Sequence, residues 1–264
     1  MSIITAAITP HSPLLIPNIG KEHLNLLEKT YHSFGEIKND LYAGQIDTIL
    51  IFSAHESTAE EEKHPSINIG KEFVSKFEDF GDFSSKITLP GDVGLAQTLK
   101  DRLEDRVSIN MIHQPELDHG IGVPLYMLAQ ELKNIKIVPI YPGSRDLQSH
   151  FEFGEQLRRP LLQEDKRIAI IASGDLAHSL SKNSPAGYSS KAAGFDQKII
   201  ESIKNKEFDR ITDIKEKTAE EVQTCALEPL SILLGIFNTI QFEPELLCYE
   251  HPFGVGYLTM KFNL

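Results

Sequence analysis

Three histidines stand a few residues past short apolar runs. His11 follows Ile3–Ile8, in Thr9-Pro10-His11-Ser12-Pro13. His55 follows Thr48–Phe52, in Ser53-Ala54-His55-Glu56. His178 follows Arg167–Ala172, in Ser173-Gly174-Asp175-Leu176-Ala177-His178. Neutral imidazole is the commonest nitrogen ligand of transition metals, and with a pKa of about 6.5 it also moves protons near neutrality. A fourth, His119, sits in Leu117-Asp118-His119-Gly120-Ile121-Gly122, ahead of a helix expected to begin near Val123-Pro124. Asp118 suits the cap of that helix, and the glycines allow close backbone approach to a ligand. Four histidines in one crevice can divide the work, two on a metal and two as acid and base. His23, His32, His64, His113 and His150 fall in helical or polar stretches and read as solvated surface. His251, before Pro252, joins neither group.

Two histidines need a further ligand. The segment 219–230 (AEEVQTCALEPL) offers Cys225 and the carboxylates of Glu221 and Glu228. A carboxylate beside two histidines gives the facial triad of non-haem iron(II) oxygenases; a thiolate favours zinc or copper(I). The residues leave this choice open. Glu220 and Glu221 equally suit a solvated helix face, and Cys225 a small core residue.

Strand ends must bring these side chains together. Ile3–Ile8, Thr48–Phe52, Ile135–Ile140 and Arg167–Ala172 are β-branched, about six residues long and not alternating, as strands covered on both faces should be. Between them, helical patterns run over 22–43, 92–105, 122–133, 145–164, 189–205 and 226–240. This alternation predicts an α/β fold: a central, mostly parallel or mixed sheet flanked by helices on both faces. In such sheets the carboxyl ends of strands line the ligand crevice. Pro65–Pro90 reads as an excursion on the sheet edge, and 254–260 (GVGYLTM) as a closing strand. With no repeat or linker, one domain over residues 1–264 is expected.

The 264 residues carry 26 Lys and Arg against 38 Asp and Glu, a net charge of −12, with pI about 5.3. An acidic surface repels phosphate backbones, so nucleic acid is not an expected partner. The two cysteines, Cys225 and Cys248, cannot form a disulfide framework, which suits a reducing cytoplasmic setting. No apolar run reaches the roughly 18 residues that span a bilayer, so no membrane partner is expected. The start, Met1-Ser2-Ile3-Ile4, lacks the basic residues of a signal peptide.

Taken in order, Thr9-Pro10-His11-Ser12-Pro13-Leu14-Leu15, Ser53-Ala54-His55, Asp118-His119-Gly120 with Val123-Pro124-Leu125, Ser173 to His178, Leu233-Leu234-Gly235 and Phe253 to Tyr257 resemble the LigB-type superfamily. It comprises the catalytic subunits of class III extradiol ring-cleavage dioxygenases and their Memo-like relatives. The resemblance spans residues 3 to about 258. It implies iron(II) held by His11, His55 and a late glutamate, with His119 and His178 binding substrate and moving protons. It also implies a catechol-type aromatic diol and O2 as substrates, and a second copy or small subunit as protein partner. In Memo-like proteins a cysteine occupies the region of the third ligand, and Cys225-Ala226-Leu227-Glu228-Pro229-Leu230 is closer to that pattern, with Glu228 nearby. The expectation is therefore an iron-dependent, extradiol-type oxidoreductase. Its rival is a Memo-like copper or iron protein without ring cleavage. A zinc hydrolase with Asp175 or Glu56 as base is a further rival.

Overall fold

The computed structural model describes residues 2–54, 64–143 and 146–264. The four apolar runs form β1 (Ile3–Thr9), β2 (Thr48–Ser53), β7 (Lys136–Tyr141) and β8 (Ile168–Ser173). The other strands are β3 (Ser66–Asn68), β4 (Glu72–Phe77), β5 (Asp82–Pro90), β6 (Asn110–Ile112), β9 (Glu243–Glu250) and β10 (Tyr257–Asn263). Among the described residues an eight-stranded mixed sheet runs β6-β3-β7-β2-β8-β1-β10-β9. Its centre, β7-β2-β8-β1, is parallel, and antiparallel strands extend it on both sides. The closing strand β10 pairs with β1, but β9 lies outside it as the edge.

Helices cover both faces: α1 (Pro17–Gly20), α2 (Glu28–Ala43), α3 (Val93–Leu103), α4 (His119–Ala129), α5 (Leu147–Leu162), α6 (Ala192–Lys204), α7 (Asp209–Thr212), α8 (Glu216–Val222) and α9 (Leu227–Phe237). Successive strand residues therefore enter different cores. Leu50, Phe52, Ile168 and Ile170 pack with α3, α5, α6 and α9; Ile49, Ile51, Ala169 and Ile171 pack with α2 and α4. Each buried Leu, Ile or Phe side chain among them stabilises by about 1.5–3 kcal/mol, so the central strands are bound tightly on both faces. That explains why they read as unbroken apolar runs. Helices α5 and α9 cross where a Cβ on Gly154 would lie 2.1 Å from the Ile232 carbonyl oxygen, so side chains are excluded there.

Four local expectations change. Helix α4 starts at His119, not near Val123, because the Asp118 carboxylate caps it, accepting from the amides of Gly120 at 2.6 Å and Ile121 at 3.3 Å. The glycine at 122 serves packing, since a Cβ there would meet Ser75 Oγ at 1.9 Å on β4. His150 is fully buried on α5, not solvated, with Nε2 3.2 Å from the Gly143 carbonyl. The excursion over 65–90 contributes β3 to the sheet and otherwise folds into a separate β4–β5 hairpin against α4. Among the described residues no helix is long and apolar enough to cross a membrane.

Candidate metal centre

The parallel register aligns the strand ends. Thr9 of β1 and Ser53 of β2 are both partners of Ser173 on β8, which lies between them. His11 leaves β1 two residues past Thr9. His55 follows Ser53 by the same interval in sequence but lies outside the described residues, as does Glu56.

His11 is almost fully buried. Its Nδ1 lies 3.1 Å from Ser173 Oγ, and Ser173 donates its hydroxyl hydrogen to the Gly120 carbonyl. Its backbone N–H donates to Asp175 Oδ1 at 3.1 Å, and Nε2 is 3.9 Å from Asp175 Oδ2. Burial pushes the Asp175 carboxyl up to about 7, against the lowering effect of that backbone hydrogen bond. Cys225 Sγ lies 3.3 Å from His11 Nε2 and 3.9 Å from His178 Nε2, and it accepts from the Asp175 amide at 3.2 Å. Burial, and next the Asp175 charge, push the Cys225 thiol well above its ordinary range.

Gly174 makes this approach possible. A Cβ there would meet Ala226 Cα at 2.4 Å and the Cys225 carbonyl oxygen at 2.9 Å, so only glycine lets the start of α9 lie against the end of β8. The 174–178 loop is also pinned by backbone bonds from Gly174 to Thr9, from Leu176 to Gly256 and from His178 to Val222.

The His119 ring stands edge-on to His11, with centroids 5.4 Å apart, and Phe80 packs on it at 5.2 Å. Burial lowers the His119 pKa, with Asp79 acting in the opposite sense. Phe80 comes from the turn of the β4–β5 hairpin. Asp82 fixes that turn by accepting from Ser84 and Ser85, and Asn18 ties it to α1. Tyr257, buried at the start of β10, hydrogen-bonds Ser12 and feels the Asp175 charge.

The structure thus brings together His11, His119, His178 and Cys225. Glu228 is close enough for its charge to raise the Cys225 pKa. It lines a separate cavity of about 540 Å³ with Asp146, Thr212 and Leu227, and burial raises its pKa. Glu221 is exposed and holds Lys191 at 2.6 Å. Sequence reasoning left Ser173, Phe80 and Tyr257 without roles. Their only signal was proximity to strand ends or to a turn.

Among the described residues no three His, Cys, Asp or Glu side chains close a metal cage by themselves. The donor chemistry of the pair His11 Nε2 and Cys225 Sγ, 3.3 Å apart, nevertheless fits a nitrogen- and sulfur-bound cation.

The fold is thus an α/β sheet that gathers imidazole and thiol side chains at the carboxyl edge of its parallel strands. Residues 5–260 match the family described as the catalytic LigB subunit of aromatic ring-opening dioxygenase, and the chain belongs to that family. Protein CA_C1420 of Clostridium acetobutylicum is 28% identical over 272 residues, covering 99% of this chain and 58% of that protein. A 2,3-dihydroxyphenylpropionate/2,3-dihydroxicinnamic acid 1,2-dioxygenase of Cupriavidus necator is 24% identical over 120 residues, covering 44% of this chain and 38% of the enzyme. A MEMO1 family protein of Methanococcoides burtonii is 24% identical over 118 residues, covering 44% and 41%. The chain therefore spans 58% or less of the length of these relatives. The crystal structure of protein JW3007 from Escherichia coli K12 shares the fold, with a TM-score of 0.68 at 17% identity over 98% of this chain and 99% of that one.

Proposed function

We propose that this chain is a metal-dependent oxidoreductase of the dioxygenase-like type, its ion held by His11, His55 and Cys225. The observation that carries the reading is the 3.3 Å approach of Cys225 Sγ to His11 Nε2. When bound, the ion supplies a Lewis-acidic anchor for a diol and an electron path to O2. The rest is the work of the chain. His119, kept neutral by burial, suits acceptance of a proton from a substrate hydroxyl. His178 Nε2, 3.9 Å from the same sulfur, suits its return. Phe80 gives the site an aromatic wall against one side of the His119 ring.

A sulfur donor favours the Memo-like reading, in which a copper or iron site serves redox chemistry without ring cleavage. The aromatic wall beside His119 favours the second reading, extradiol opening of a catechol-type ring by an iron(II) enzyme. The test is metal analysis of anaerobically purified protein, followed by a screen of catechols with iron(II), zinc(II) and copper(I). Yellow ring-opened products support ring cleavage. Stoichiometric metal without products supports the Memo-like reading, and wild-type protein that retains none of the three metals overturns both. The mass of the purified species reports whether a second copy or small subunit completes the site.

A further inference from the structure

Pro124 lies inside α4. In an α-helix the carbonyl of residue 120 accepts from the amide of residue 124, and proline has no amide hydrogen to give. The Gly120 carbonyl takes the hydroxyl hydrogen of Ser173 instead. A serine hydroxyl has one hydrogen, and a carbonyl oxygen can only accept, so that hydrogen is committed. Ser173 Oγ is also 3.1 Å from His11 Nδ1, and it meets that nitrogen with a lone pair. The hydrogen of this second bond must then belong to Nδ1. Both residues are buried, so bulk water does not compete for either contact.

We propose that Ser173 is a positioning residue for the metal centre. Pro124 frees the Gly120 carbonyl, the carbonyl orients the Ser173 hydroxyl, and the hydroxyl fixes His11 as its Nδ1–H tautomer. The Nε2 lone pair is thereby aimed at the side where Cys225 Sγ lies 3.3 Å away. The purpose of the device rests on the metal-centre reading above; the tautomer does not. A partner on the distal nitrogen is how proteins orient a ligating imidazole and set which nitrogen is bare.

The experiment uses metal-free wild-type protein labelled with 15N-histidine, the His11 signals being assigned by their loss in His11→Gln. The expected result is a single neutral form protonated on Nδ1. An Nε2–H form, or an exchanging mixture, would overturn the proposal. Ser173→Ala is expected to mix the tautomers and weaken zinc(II) affinity, measured by chelator competition, by roughly 10–100-fold. Ser173→Thr, which keeps the hydroxyl, is expected to restore both. Wild-type tautomer and affinity retained in Ser173→Ala would overturn the assignment. The wild-type spectrum decides the tautomer even if Ser173→Ala fails to fold. Wild-type protein in the Nδ1–H form that binds no zinc(II) supports the hydrogen-bond assignment while removing the metal-centre reading.

Discussion

Cys225 Sγ and His11 Nε2 lie 3.3 Å apart although 214 residues separate them in the chain. Neither element could hold that distance alone. The meeting follows from adjacent parallel strands ending in register and from a loop that folds the start of α9 back over β8. Replacing sulfur by the harder hydroxyl oxygen keeps the volume and removes the soft donor. Cys225→Ser is therefore expected to lower zinc(II) or copper(I) affinity at least about 10-fold with little change in melting temperature. Chelator competition gives the number. An unchanged metal content would remove Cys225 as the third ligand and leave Glu228, whose charge reaches Cys225, as the next candidate.

The same contact depends on a residue with no side chain. In Gly174→Ala the new Cβ would press on Ala226 Cα and the Cys225 carbonyl, both backbone, which cannot rotate aside. The helix start must shift, with a loss of about 1–3 kcal/mol in stability. Cys225 moves with it, so metal affinity and unfolding free energy should fall together. A variant that is destabilised yet binds metal like wild type would show that the closeness of β8 and α9 does not set the site.

Phe80 touches His119 from an exposed turn, so its truncation should spare the fold. Phe80→Ala admits water to a ring whose pKa burial now depresses. The His119 pKa should rise toward about 6.5, which an NMR titration of metal-free protein would follow. Binding of a catechol probe to metal-loaded protein should weaken by roughly 2–10-fold, the worth of one aromatic contact. No movement of the His119 titration would remove Phe80 as the cover of that histidine.

The sequence makes the centre of this fold legible and hides its margins for one physical reason. Residues 49–52 of β2 and 168–172 of β8 are all apolar because both faces are covered, a pattern visible without any partner. Edge strand β9 carries Glu243, Pro244, Glu245 and Glu250, as an exposed edge should, and so resembles a loop. The histidines past β1 and β8 were visible because strand ends are predictable. Ser173 was not, since its two hydrogen bonds join residues 162 and 53 positions away. The lean of the β4–β5 hairpin over His119 is likewise tertiary, carried by Asp82, Ser84, Ser85 and Asn18, none of which marks a site by type.

Besides its backbone bonds, the loop bearing His178 is held by one buried carboxylate. Asp196 Oδ1 accepts from the Ala177 amide at 2.9 Å and Oδ2 from the Tyr249 hydroxyl at 2.7 Å, while Gly256 leaves room for it. Burial pushes the Asp196 carboxyl up from 3.8 to about 6. A raised folded pKa means that the native state binds the proton more tightly than the unfolded chain. Its contribution to stability is complete below about pH 4 and is lost as pH climbs through about 6. The full loss is on the order of 3 kcal/mol. Asp196→Asn is isosteric and cannot ionise. Its amide oxygen can still accept from Ala177, and its NH2 can donate to the Tyr249 oxygen. The variant should match wild type near pH 4 and become progressively more stable than it up to about pH 7, with a constant difference above that. Urea unfolding of both proteins at a series of pH values measures the difference directly. A gap that does not change with pH would mean that Asp196 ionises at its ordinary pKa in the native state.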